Sequence, residues 1–412
     1  MDANNSTPST IVRRGFGLKE EIKAPMAADY HSELVDWMKT TGHQLTVGSL
    51  TFRLAREFGF CYGVDFALDL AYETRYKFPH KRIFLISEII HNPRVNRRLQ
   101  ELGIRFLKDA RQQETNFDEV TADDVVIVPA FGAPVTDMEA LRRKGCIVVD
   151  TTCGSVVAVW KRVERYARDG YTAIIHGKYN HEETRATSSQ ALKYPGGKYL
   201  IVLDKGEAAI VCDYIVHGGD KRAFLARFAR AVSPGFDPDR DLERVGLANQ
   251  TTMLSSESLG IAEMFRQAMI QRYGEDRLEE HFRSFDTICT ATQNRQDAVL
   301  QLVQEHIDVI LVIGGYNSSN TNHLCEIASQ YKPTYHINEA GCILSDRHIR
   351  HKPVGGHAEV TTEGWLPSGP VIIGLTAGAS TPDRVIGEVI ARVAACRGEP
   401  LPELSRLVPH SE

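Results

Sequence analysis

Apolar residues along this chain follow two alternating rhythms. Short β-branched runs end in Gly, Ser, Asn or His: LTFRLA, RIFLISEII, DVVIVPAFG, CIVVDTTC, YTAIIHGK, KYLIVLD, DVILVIGG, PTYHIN and PVIIGLTAGAS. Between them, NPRVNRRLQELG, TDMEALRRKG and SVVAVWKRVERYARDG repeat apolar residues every three or four positions and close on Gly, as helix C-termini tend to. The alternation predicts an α/β protein of parallel sheets with covered faces. A length of 412 residues allows two or three domains, and the succession of strand–helix units suggests three small α/β domains, expected at 49–150, 151–286 and 287–395. A peripheral arm (1–48) would precede them, with the amphipathic stretch DYHSELVDWMKTTG, and a tail (396–412) would follow.

A weak structural repeat runs through this pattern. EFGFCYGVDFALDLA, VVDTTCGSVVAVWKRV and SFDTICTATQNRQDAV each show a strand end, a cysteine, small residues and a helix. The cysteines are Cys61, Cys153 and Cys289. Any one of them could be packing filler, a nucleophile or a ligand. Sites in α/β folds form at strand C-terminal ends, where helix N-termini stabilise thiolates and bound anions. If each cysteine belongs to its own domain, three thiolates could meet at a common centre. A structural zinc site wants four ligands, usually in close pairs, and no CxxC occurs. Three thiolates on a 4Fe–4S cluster would leave one iron open to substrate. Cys146, Cys212, Cys325, Cys342 and Cys396 lack the shared setting and read as filler.

Composition narrows the class. Apolar content of 42% and charged content of 25% are those of an ordinary globular protein. A net charge of −5 without a basic stripe argues against nucleic acid. The longest apolar runs are strand-sized, which argues against a membrane span. The N-terminal MDANNSTPSTIVRRGFG has no apolar core segment, so it is no secretory signal, and the protein reads as cytoplasmic with reduced cysteines.

The remaining strand ends carry anion-binding chemistry. SEIIHNP offers His91, and HGKYNHEET offers His176, His181 and Glu183. NQTTM offers Thr251 and Thr252; GGYNSSN offers Ser318, Ser319 and Asn320; and GLTAGAS offers Ser380. Hydroxyls and amides beside glycines at a helix start can cradle phosphate, although each segment alone is also an ordinary turn with a helix cap. Two such cradles with several histidines suggest a diphosphate pocket, and the lack of GxGxxG or Walker A patterns argues against a nucleotide. Glu183 is the candidate proton donor, with Glu182 expected to face solvent beside it.

Taken in order, GFCYGV, SEIIHNPRV, VDTTC, HGKYNHEET, NQTTM, TICTATQNRQDA, IGGYNSSNTNHL and GLTAGASTPD resemble the 4-hydroxy-3-methylbut-2-enyl diphosphate reductase (LytB/IspH) family from about Leu45 to Arg392. AVSPGFDPDRDLERVGLANQTTML and the RRGFG arm are similar to its plant and cyanobacterial branch. The resemblance implies a three-domain trefoil around one 4Fe–4S cluster, with Cys61, Cys153 and Cys289 as ligands and one open iron. It implies that His91, His181, Ser318, Ser319, Asn320 and Ser380 hold the substrate's diphosphate. Thr251 would lie by the substrate hydroxyl, and Glu183 would lead the proton relay. The implied reaction is a two-electron reductive dehydroxylation giving isopentenyl and dimethylallyl diphosphate, the last step of the methylerythritol phosphate pathway. The implied electron donor is a ferredoxin or flavodoxin. Two positions depart from the family pattern: Phe131 stands where many bacterial members have His, and Gly154 where Pro is usual.

Two other classes compete. A non-catalytic iron–sulfur redox or iron sensor would need neither Glu183 nor the cradles. A thiol-dependent hydrolase or transferase would need one cysteine paired with His, and gives no reason for three similar settings.

Overall fold

The computed structural model describes residues 10–108, 115–285, 287–399 and 401. They fall into two compact units: the described residues of 1–16, 77–89 and 100–289 in the first, and those of 17–76, 90–99 and 290–412 in the second.

The first unit holds two sheets. One runs Ile11–Val12, Ile147–Asp150, Val125–Val128, Ile83–Leu85, Ile104–Phe106, all parallel. The other runs Phe282–Ser284, Val245–Asn249, Thr172–His176, Tyr199–Val202, again all parallel. The second unit has a sheet of Thr334–Ile337, Val309–Ile313, Val371–Ala377, Leu50–Leu54 and Gln44–Val47, of which only the last is antiparallel. A small antiparallel ribbon, His348–His351 with Val360–Glu363, completes it. The expected α/β class with mainly parallel sheets is what forms. Continuous runs such as VVIV and VILVI bury every residue, because helices cover both faces of these strands. Fully burying one such side chain is worth about 1.5–3 kcal/mol.

Sheet membership does not follow the chain contiguously. Leu50–Leu54, in the segment expected to form the first domain, pairs with Val371–Leu375. The arm is also built in. Ile11–Val12 extends a sheet edge of the first unit. Helix Glu33–Thr40, capped by Ser32 Oγ accepting from Val35 N at 3.3 Å, buries Leu34, Val35 and Met38 in the second unit's core. Strand Val245–Asn249 is absent from the sequence reading because VGLAN carries no β-branched run. Its Gly246 lets the Tyr166 ring lie against the strand: a Cβ there would stand 2.5 Å from the ring. Among the described residues no helix is long and apolar enough to cross a membrane.

Candidate functional site

The three cysteines share one backbone arrangement. Each follows a strand whose parallel neighbour ends two residues before a bridging residue. Cys61 N–H donates to Ala379 O at 3.2 Å, Cys153 N–H to Ala130 O at 3.0 Å, and Cys289 N–H to Thr251 O at 3.3 Å. The bridging residues follow strands ending at Ala377, Val128 and Asn249. Each bridging N–H then donates to the next loop in its sheet: Ala379 to Asn320 Oδ1 at 2.9 Å, Ala130 to Ile89 O at 3.1 Å, and Thr251 to Glu183 Oε1 at 2.5 Å. The repeat seen faintly in the sequence is therefore a repeat of hydrogen bonding. Each cysteine also immediately precedes a helix: Tyr62–Lys77, Gly154–Arg168 and Thr290–Leu302. The positive helix N-terminus suits a thiolate.

In the first unit, Ser155 Oγ donates to Cys289 Sγ at 3.3 Å, bringing Cys289 against the helix that Cys153 caps. Gly154 starts that helix, and Val157 N–H bonds back to Cys153 O at 3.0 Å. His181 caps helix Glu182–Ser189, its Nδ1 accepting from Glu183 N at 3.2 Å. The neutral ring therefore carries its proton on Nε2. Phe131 lies edge-on to this ring, with centroids 5.9 Å apart, and so packs on His181. Glu183 is only 2% exposed, whereas Glu182 is half-buried.

Thr251 sits at the junction: its N–H reaches the Glu183 carboxylate and its carbonyl holds the Cys289 amide. Gln250 pins this loop, its Oε1 accepting from Lys178 N at 3.2 Å and Thr184 Oγ1 at 3.1 Å. Asp150 shapes the turn before Cys153, accepting from Thr152 N at 3.1 Å, Thr152 Oγ1 at 2.5 Å and the Arg13 guanidinium at 2.9 Å.

In the second unit, Ser318 Oγ caps helix Ser319–Ser329 by accepting from Thr321 N at 3.3 Å. Ser318, Ser319, Asn320, His91 and Ser380 are all buried. Asn317 Nδ2 donates to His91 Nδ1 at 3.3 Å, so this imidazole too keeps its proton on Nε2. Ser380 Oγ donates to His91 O at 3.2 Å. Gly315 permits that approach, since a Cβ there would lie 2.3 Å from His91 O. The buried Asn320 Nδ2 finds no acceptor among the described residues, which marks a place for one supplied from outside.

Other residues that the sequence reading passed over hold these loops. Arg295 projects its guanidinium to Gly59 O at 2.7 Å and Phe60 O at 3.1 Å, fixing the turn into Cys61. Its signal was a charge on the apolar face of its helix, among Thr292, Val299 and Leu302. His336 Nε2 bonds Gly314 O at 3.0 Å, and burial pushes its pKa down to about 4, keeping it neutral. Tyr316 OH donates to Glu359 at 2.8 Å and Lys352 Nζ to Tyr316 O at 2.9 Å, bracing the cradle from behind. By contrast, burial raises the thiols of Cys146 to about 11 and of Cys212 and Cys325 to about 12, as suits inert packing cysteines.

Comparison with known proteins follows the same lines. The family model described as LytB protein matches residues 52–394. A Thermosynechococcus vestitus protein named 4-hydroxy-3-methylbut-2-enyl diphosphate reductase is 53% identical over 386 residues, 93% of this chain and 94% of its own. The protein of that name from Gloeobacter violaceus is 52% identical over 390 residues, 94% of this chain and 92% of its own. A solved structure titled as the E-1-hydroxy-2-methyl-but-2-enyl-4-diphosphate reductase from Plasmodium falciparum shares the fold, with a TM-score of 0.59 at 21% identity over 83% of this chain and 87% of that one. This chain belongs to the LytB protein family.

Proposed function

We propose that the chain is an iron–sulfur reductase that converts (E)-4-hydroxy-3-methylbut-2-enyl diphosphate to isopentenyl and dimethylallyl diphosphate, the terminal step of the non-mevalonate isoprenoid pathway. The allylic C–O bond breaks and a C–H bond forms. Two electrons and two protons are consumed, and the hydroxyl leaves as water. The observation that carries the residue assignment is the threefold recurrence of a cysteine amide docked on a bridging carbonyl at a helix start.

The donor set fits an iron–sulfur cluster: three soft thiols in one backbone setting, with Ser155 Oγ donating to the sulfur of Cys289. Cys61, Cys153 and Cys289 would hold one 4Fe–4S cluster, which supplies electrons and one open iron. His91, Ser318, Ser319, Asn320 and Ser380 bind diphosphate, as does His181. The Nε2–H groups of both imidazoles and the Asn320 amide are the donors an anion needs. Glu183 delivers the proton, held in place by Thr251 N–H, and the Thr251 hydroxyl orients the substrate alcohol. Electrons come from a ferredoxin or flavodoxin in the cytoplasm. A sensor would have no use for a buried carboxylate braced on Thr251 or for an unsatisfied amide at Asn320.

Anaerobic reconstitution with iron and sulfide, followed by Mössbauer spectra with and without substrate, tests this. One distinct iron signal that shifts on adding substrate is the expected result. Failure to bind cluster overturns the three-cysteine assignment, and a cluster with no responsive iron favours the sensor.

A further inference from the structure

We propose that the exposed face of helix Gly154–Arg168 docks an acidic one-electron carrier protein, a proposal that rests on the reductase reading above. The helix begins directly at Cys153 and touches Cys289 through Ser155. Its exposed positions are Gly154, Ala158, Lys161, Arg165 and Arg168, a stripe of helical spacing. The stripe has two parts. Gly154 and Ala158, nearest the two thiols, are small and let a partner's backbone come close. Lys161 and Arg165 follow about 10 Å or more along the axis, at 1.5 Å per residue.

Of the charges on this face, Arg168 is paired, and among the described residues Lys161 and Arg165 have no carboxylate partner. Glu164 is taken by Lys193 at 2.6 Å, and Arg168 and Arg283 share Asp169 at 3.3 and 2.6 Å. Among the described residues, no carboxylate pairs with Lys161, Arg162 or Arg165. Arg162 instead lies over the ring of Phe285 at 4.1 Å, and Phe285 is 40% exposed. The result is an exposed aromatic under one cation, with Lys161 and Arg165 exposed on the same helix, on a chain whose net charge is −5.

Against that net charge, an open cationic patch favours encounter with an acidic carrier and helps to orient it. The reaction takes two electrons, so two reduced carriers must each dock, lose one electron and leave. The same turnover takes up two protons, breaks C–O, forms C–H and releases water. A small, charged surface with one aromatic anchor suits such a brief complex.

The test uses reconstituted holoenzyme at low ionic strength with an acidic 2Fe–2S ferredoxin as carrier. Lys161→Glu with Arg165→Glu is expected to raise KM for ferredoxin about tenfold or more, while turnover with dithionite-reduced methyl viologen stays unchanged. Lys161→Gln with Arg165→Gln should give the same effect at about threefold, should the reversal fold poorly. Arg142→Glu with Arg143→Glu changes net charge equally on another helix and should leave ferredoxin KM within about twofold. An unchanged KM in both helix variants, or an equal rise in the control, overturns the proposal. So does sedimentation showing that the helix variants instead dissociate a dimer, which would assign the face to a second copy of the chain. Absence of wild-type turnover with viologen as well would strike the reductase reading itself.

Discussion

Two loops of this protein are built on one plan and differ in the chemistry of their eighth residue. His176–Gly177–Lys178–Tyr179–Asn180–His181–Glu182–Glu183 lies in the first unit, and Ile313–Gly314–Gly315–Tyr316–Asn317–Ser318–Ser319–Asn320 in the second. Each leaves one of the two inner strands of a four-stranded parallel set. Each places a capping side chain sixth, His181 or Ser318, at the start of a helix. Each places eighth a side-chain oxygen that accepts the bridging N–H: Glu183 from Thr251, Asn320 from Ala379. The last position differs in that a carboxyl can carry a proton and an amide cannot. The eighth position thus offers a titratable carboxyl in one loop and a neutral amide in the other, each accepting a bridging N–H.

Exchanging those eighth residues breaks the comparison most directly. Glu183→Gln keeps an acceptor for Thr251 N–H but removes the proton. We expect kcat to fall by about 10²–10⁴-fold with substrate KM little changed. A loss under about tenfold would move the proton relay elsewhere. Asn320→Asp makes the second loop resemble the first and sets a negative charge where the diphosphate is proposed to bind. A KM rise of about tenfold or more, with the cluster's absorption spectrum intact, is the expected outcome.

The loops should also differ in their response to pH. The second is held from behind by His336, whose pKa of about 4 in the folded protein lies below the ordinary 6.5. Above pH 6.5 the ring is neutral in both folded and unfolded chains and costs nothing. Below it the unfolded chain gains a proton that the folded one refuses, so stability falls as pH drops from 6.5 towards 4, by about 3 kcal/mol at most. Denaturant titrations at either end of that window should show the loss, and His336→Gln should flatten it. The smallest effect is expected at Arg13, which is 67% exposed: Arg13→Ala should cost about 0–1 kcal/mol. Asp150→Asn, which also weakens the Thr152 turn, should cost more and broaden the cluster's spectroscopic signature. Equal effects of the two substitutions would show that Asp150 serves Arg13 alone.

Legibility in the sequence followed the range of each interaction. The Cys61, Cys153 and Cys289 settings were visible, since a strand end, a cysteine and a helix start are neighbours along the chain. So were His181 and Ser318 as residues opening helices. Strand Val245–Asn249 was not, because Gly246 makes room for the Tyr166 ring and VGLAN carries no β-branched run. Arg295 passed as one more helix charge, since its target carbonyl at Gly59 lies 236 positions away.

By itself, then, the sequence determined the alternation of strands and helices, the thiols and the residues offered at each strand end. These depend on periodicity and on residues within a turn of one another. Tertiary structure decided which carbonyl receives each cysteine amide, that Glu183 accepts from Thr251 N–H, and that Leu50–Leu54 joins a sheet with Val371–Leu375. Those outcomes rest on backbone hydrogen bonds between distant segments, and a backbone amide or carbonyl leaves no mark in the identity of its residue.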